Sequence, residues 1–220
     1  MINFLNRKIV FEVMNVITKS NITSVLIFMI VPVGMSIVRL FLVATNSYIY
    51  MNWNLFLALI PILFAWLFMR STIGVVGRII WFFLWMGFLP NAPYLITDLI
   101  HLADVGPRSL IWFDSIMLFG YAFVGLLIWL QSVHMIYQRI PSKVFIPGVA
   151  LLTSVGIFMG RYVRHNTWDV VARPDSVFST MVSFIRAPLD HEPFLGYITV
   201  FWLFLMFSYL GYRVLSPRSS

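Results

Sequence analysis

The sequence predicts an all-α fold, a polytopic transmembrane helical bundle of about six spanning helices, on three observations. Sixty per cent of the 220 residues are apolar and only 10% are charged. The apolar residues fall in blocks long enough to cross the roughly 30 Å hydrocarbon layer at about 1.5 Å per residue, too long for the helices of a water-soluble core. Basic residues stand between these blocks rather than in one patch, so the net charge of +7 reports membrane topology and not nucleic-acid binding. Cysteine is absent, which removes disulfides, thiolate metal sites and cysteine nucleophiles.

Taken in order, residues 1–20 come first as an interfacial amphipathic helix, because Ile2, Leu5, Ile9, Val13 and Val16 recur at helical spacing beside Arg7, Lys8 and Lys19. Spans are expected at about 22–44, 53–70, 78–98, 109–136, 144–163 and 194–213. The first is longer than a signal-peptide core, and Leu42 stands where a small residue should precede a cleavage site at Ala44, so it is expected to be retained. Between spans five and six lies an extracytoplasmic segment, 164–193. Pro174 there opens a surface helix carrying Val177, Phe178, Met181, Val182 and Ile185, too short to cross. The whole chain, 1–220, reads as a single membrane domain with the bundle at 22–213.

Orientation follows from lysine and arginine. Arg7, Lys8, Lys19, Arg70, Arg78, Arg139, Lys143, Arg213 and Arg218 fall on the side of the N-terminus, a larger set than Arg39, Arg108, Arg161, Arg164, Arg173 and Arg186 opposite. Both termini are therefore expected in the cytoplasm. Asp98, Asp104, Asp114, Asp169, Asp175, Asp190 and Glu192 all fall toward the outer side, so any chemistry is expected to face outward.

Three stretches carry the polar groups. In FLPNAPYLITDLIHL, residues 88–102, Pro90 and Pro93 lack the donors that would bond the carbonyls of Met86 and Leu89, which predicts a kink or opening of span three. Asn91 is placed to give a donor to a freed carbonyl. Asn91, Tyr94, Asp98 and His101 share one helical face, which should turn inward or line a wet cleft. In span four, Asp114 lies about one turn inside the outer boundary, with Tyr121, Gly125 and Ser132 continuing its face; an ionised carboxylate there costs about 3 kcal/mol without a partner. His134 belongs to the other end of that helix and reads as a surface histidine. In GRYVRHNTWDVVARPD, residues 160–175, Arg161, Arg164 and His165 follow one another at helical spacing, with Asn166, Trp168 and Asp169 closing the turn, and Gly156 with Gly160 offers a face for close helix approach.

Two accounts of these groups stand side by side. In one, Arg161 and Arg164 neutralise Asp98 and Asp114 and the cluster is a latch between spans three, four and five. In the other, Asp98, His101 and Asp114 are catalytic, while Arg161, Arg164, Asn166, Asn91 and Tyr94 hold an anionic group, since guanidinium forks bind phosphate bidentately. Asp98 and His101 at i, i+3 could then give two ligands to a divalent metal such as zinc, with Asp114 or His165 a third. Arg39 either snorkels outward or joins the cluster. No Walker A sequence, nucleophile elbow, zinc-protease motif or dinucleotide fingerprint is present.

These three motifs together resemble a family of bacterial integral membrane proteins catalogued as domain of unknown function 1361, over about residues 75–185. The resemblance implies a polytopic protein of the bacterial envelope and brings no established activity. The expected location is the bacterial cytoplasmic membrane, and the expected partner, besides the lipid bilayer, is an anionic, phosphate-bearing lipid or envelope precursor. A membrane scaffold is the alternative, and a small-solute transporter is third, weakened by the lack of ionisable residues at the midplane.

Overall fold

The computed structural model describes residues 2–43, 48–70, 74–103, 108–163 and 192–215, together with the isolated positions 175, 179, 182 and 184; up to residue 21 it describes backbone alone. Every regular element among the described residues is helical. These are α1 (Ile2–Leu42), α2 (Tyr50–Met69), α3 (Val75–Phe88), α4 (Asn91–Thr97), α5 (Ile111–Arg139), α6 (Phe145–Phe158) and α7 (Glu192–Leu215), with 3-10 turns at Asp98–Ala103 and Arg108–Leu110 and a π-helical turn at Met159–Val163. Six stretches are long and apolar enough to cross a membrane: Ile22–Leu42, Tyr50–Met69, Val75–Leu102, Arg108–Arg139, Phe145–Val163 and Phe194–Leu215. Each lies within a few residues of the expected span.

Span four is the axis of the bundle. Its most apolar window is 67% buried, against 22% for span one and 17% for span six, so α5 is surrounded by protein while the outermost helices mainly meet lipid. Phe41, Phe83, Phe119 and Phe207 are among the large side chains left on the surface, as a hydrocarbon solvent permits. Inside, Trp85, Met117, Leu118, Tyr121, Ile128 and Trp129 are fully covered.

Small residues on α5 and α6 set the helix approaches, as expected where packing rather than hydrophobicity drives association. A side-chain carbon on Gly125 would strike the Ala92 carbonyl, and one on Gly156 would strike the Pro90 ring. At Gly120 the same carbon would lie 3.1 Å from Pro32 of α1. The close approach expected of the glycine face on span five is thus made by Gly156, against the proline-broken span three. Two indole N–H groups tie the rest: Trp129 Nε1 donates to Thr153 Oγ1 on α6 at 3.2 Å, and Trp202 Nε1 on α7 donates to the Pro147 carbonyl at 3.0 Å.

One expectation meets a different outcome. Residues 2–20 are helical, but they run unbroken into the first span as one 41-residue helix. Its first proline is Pro32 and no glycine precedes Gly34, so nothing stops the ladder near residue 20. Of the surface helix between spans five and six, only Asp175, Ser179, Val182 and Phe184 are described, all helical. Val177, Phe178, Met181 and Ile185 lie outside the described residues.

Candidate functional site

The site begins with the break in span three. Leu89 N–H still bonds the Trp85 carbonyl at 2.8 Å, but Pro90 has no N–H, and Ala92 N–H reaches the Leu89 carbonyl at 3.2 Å. This leaves the Phe88 carbonyl without its helical donor, and Asn91 Nδ2 supplies one at 3.0 Å. The side chain predicted to mend the break does so, on Phe88. Beyond Thr97 the chain tightens into the 3-10 turn Asp98–Ala103, where residues three apart stand in line. Asp98 and His101 thereby project from the same edge.

Arg161 comes to meet them from the π-helical turn that ends span five. Such a turn takes in an extra residue and re-aims those after it, and it recurs at functional positions. Each guanidinium nitrogen of Arg161 finds a protein partner. Nη2 lies 2.6 Å from Asp98 Oδ1, Nε donates to Thr97 Oγ1 at 3.0 Å, and Nη1 lies 3.3 Å from His101 Nε2. Arginine has donors only, so in this contact His101 Nε2 can serve only as the acceptor. The guanidinium carbon also sits 4.7 Å from the Tyr94 ring centroid, a cation–π distance. Asn54 Nδ2 donates to the other Asp98 oxygen at 3.3 Å. The Asp98 side chain is 1% exposed and that of Arg161 14%, so the pair is essentially out of solvent.

A second pair lies at the same end of the bundle. Arg39, near the last turn of α1, holds Asp114 of α5 in a two-point fork, Nε to Oδ1 at 2.7 Å and Nη2 to Oδ2 at 3.1 Å. Both side chains are buried, at 2% and 3% exposure. Tyr48 links this pair to the 3-10 turn, its ring 5.7 Å from the Arg39 guanidinium carbon and its hydroxyl donating to the His101 carbonyl at 3.3 Å. One layer deeper, Tyr121 of α5 donates to Asn52 Oδ1 at 2.7 Å, and Asn52 Nδ2 donates to Ser36 Oγ of α1 at 3.1 Å. Spans one to five are therefore all joined at this end by polar side chains.

The structure thus brings Tyr94, Asp98, His101 and Arg161 together. The carboxylate of Asp114 is taken by Arg39 rather than by Arg161. Arg39 joins the network instead of snorkelling, its Nε and Nη2 both held by Asp114 below the surface. Arg164 and Asn166 lie outside the described residues, as do His165, Trp168 and Asp169. His134, at the opposite end of α5, is half-buried rather than a surface group. Its ring lies 3.2 Å from the Tyr209 hydroxyl and 3.1 Å from the Gln138 amide nitrogen.

The donor set fits a metal poorly. Asp98 Oδ1 and His101 Nε2 are 3.9 Å apart, but the guanidinium of Arg161 contacts both atoms, so a cation already bridges them. Among the described residues no three histidine, aspartate or glutamate side chains gather as a metal-holding group.

Sequence reasoning missed Thr97, Asn54, Asn52, Ser36 and Tyr48. A signal existed for the two asparagines: YMNWN places two amides within the first turns of an otherwise apolar span, at the same end of the bundle as both acids. Thr97 adjoins Asp98 but lies off the Asn91–His101 face, and a single hydroxyl in such a helix more often bonds its own backbone. It does so here as well, donating to the Tyr94 carbonyl at 2.6 Å.

Fold and site together define a multi-pass α-helical membrane protein with a buried network of charges at one end of its bundle. The family described as "Protein of unknown function (DUF1361)" matches residues 53–208, well over half of the chain, and the chain belongs to that family. Neither the curated proteins nor the solved structures compared with it gave a match.

Proposed function

We propose that the protein is a membrane scaffold whose polar layer is an inter-helix lock and not a reaction centre. The observation that carries this reading is the closure of both ion pairs. Among the described residues of the layer the two guanidinium groups match the two carboxylates, and Arg161 has committed all three nitrogens to Asp98, Thr97 and His101. A head-group site needs donors to spare, and general acid–base work needs a carboxyl or imidazole free to exchange its proton. Asp98 and His101 are instead bound to the same arginine. In a bilayer such pairs specify which helix faces which, since no hydrophobic force distinguishes one apolar helix from another.

The setting we propose is a bacterial cytoplasmic membrane. Arg70, Arg78, Arg139, Lys143 and Arg213 gather at the end of the bundle opposite the lock, which supports a cytoplasmic side for that end and for both termini. The lock then lies near the outer leaflet's head groups.

A second reading, capture of an anionic phosphate-bearing lipid or envelope precursor, draws on two atoms. Arg39 Nη1 and the Tyr197 hydroxyl are buried with no hydrogen-bond partner among the described residues. Exchanging the charges separates the readings. Arg39→Asp and Asp114→Arg should each lower the amount of folded protein in the membrane, and the double exchange should restore it with its bound lipids unchanged by mass spectrometry. Single variants that accumulate normally but lose a co-purifying anionic lipid, with no recovery in the double exchange, would replace the scaffold by the lipid site.

A further inference from the structure

The end of the bundle opposite the lock carries Arg70, Arg78, Arg139, Lys143 and Arg213. Among the described residues none of them has an ion pair. The guanidinium carbon of Arg70 lies 4.6 Å from the Trp66 ring centroid and that of Arg213 5.5 Å from the Tyr137 centroid, so an aromatic face holds each. Arg78 has no such support. It makes no hydrogen bond or ring contact among the described residues, and its Nε is buried without a partner. Yet it stands inside span three, about 4.5 Å along the helix from Val75.

The face that carries Arg78 is the packed one. Trp81, Phe82 and Trp85 follow it at i+3, i+4 and i+7. Trp81 stacks on Phe64 of α2 at 5.8 Å, Phe82 meets Phe68 of α2 at 6.2 Å, and Trp85 stacks on Phe145 of α6 at 6.3 Å between centroids. Ile79, Ile80 and Phe83 take the lipid side. Arg78 therefore faces the mouth between spans two, three and five. Spans three and five run in the same direction and meet where Pro90 lies against Gly156. Arg78 and Val144 each stand twelve residues before that contact, which sets Lys143 and Arg78 at a similar depth. Helices α3 and α6 both start at this end with no acidic residue in the first turn, so their dipoles add to the positive potential. Arg78 is only partly exposed and its Nε is covered. What it offers is the pair of terminal nitrogens, an end-on fork that suits two phosphate oxygens.

We propose that Arg78 and Lys143 form a docking site for the phosphate of an anionic phospholipid in the leaflet at this end of the bundle. Val75, Val76 and Val144 are strongly exposed around it and meet the acyl chains. Two cations with no nearby acid select an anionic head group over a zwitterionic one, which brings a cation of its own. The depth of Arg78 inside a span selects a lipid over a water-soluble acidic partner. Each basic residue near an anionic head group favours the bound lipid roughly fivefold.

The test is lipid retention by the full chain. Nanodiscs of phosphatidylglycerol and phosphatidylcholine in equal parts, matched in acyl chains, are dissolved in detergent, and the lipids left on the protein are counted by native mass spectrometry. Wild type should hold phosphatidylglycerol in preference to phosphatidylcholine. Arg78→Gln and Lys143→Gln should each lower that preference about fivefold, whereas Arg70→Gln, which removes the same charge from the Trp66 ring, should leave it nearly unchanged. Arg78→Lys should fall between wild type and Arg78→Gln, since it keeps the charge without the fork. In phosphatidylcholine alone Arg78→Gln should melt at the wild-type temperature, because it breaks no protein contact; a lower melting temperature there would make Arg78 a structural charge and overturn the proposal. No lipid preference in wild type would overturn it too, as would an equal loss for Arg70→Gln and Arg78→Gln, the mark of diffuse surface charge. A preference kept in Arg78→Gln but lost in Arg39→Gln would move the lipid to the lock. Arg78 and Lys143 do not touch the lock, so failure at this end leaves the scaffold reading standing.

Discussion

Removing the carboxylate of Asp114 should leave one of the most deeply buried arginines in the protein without its counter-charge. Arg39 is 2% exposed and directs two of its nitrogens at Asp114, at 2.7 and 3.1 Å. With Asp114→Ala these donors face apolar neighbours, and breaking a buried pair by deleting one partner costs about 3–5 kcal/mol. Arg39 lies only one turn from the end of its helix at Leu42, so partial snorkelling relieves some of the penalty and favours the lower figure. About 3 kcal/mol corresponds to a loss of more than a hundredfold in the folding equilibrium. The control removes both charges together. Arg39→Met with Asp114→Leu should recover most of the loss, because apolar replacement of a buried pair is often neutral or better. The assay is reversible unfolding of reconstituted protein in bicelles, followed by steric trapping. A value for Asp114→Ala within about 0.5 kcal/mol of wild type, the range of an unimportant surface change, would refute the reasoning, as would a double variant no more stable than the single one.

Three further outcomes follow from the same geometry. Arg161→Lys keeps the charge but cannot reach Thr97, His101 and Asp98 together, and should cost about 1.5–3 kcal/mol, read in the same unfolding assay. Gly125→Ala forces a carbon against the Ala92 carbonyl and should destabilise by about 1–3 kcal/mol, whereas Gly34→Ala, with open space around the new carbon, should be neutral or slightly stabilising; melting temperatures in detergent compare the two. Trp129→Phe removes the indole donor to Thr153 and should cost only about 0.6 kcal/mol for the hydrogen bond itself, measured against Thr153→Val in a double-mutant cycle.

Much of the architecture was legible because it depends on quantities local to each segment. Span lengths follow from runs of apolar residues, and the opening of span three follows from the missing N–H of Pro90. The shared edge of Asp98 and His101 follows from helical spacing. The partner of each acid was not legible in the same way. Arg39 and Arg161 both lie near the ends of their spans on the same side of the bundle, and intrahelical spacing does not say which faces Asp114. That depends on the rotation and order of the helices, set by contacts such as Pro32 against Gly120 and Pro90 against Gly156. The π-helical turn that swings Arg161 toward Thr97 has no residue signature in GRYVR. Conversely, the unbroken α1 was readable: a surface helix distinct from span one needs a breaker near residue 20, and Ser20 and Asn21 are only weak formers.

The account rests on the closed state of the two charge pairs, and an experimental density map of the protein in lipid nanodiscs tests it most directly. It predicts the guanidinium of Arg161 against Asp98 and that of Arg39 against Asp114, with no lipid phosphate between them. A phosphate within hydrogen-bonding distance of Arg161, with Asp98 turned aside, would contradict the lock and make this layer a binding site.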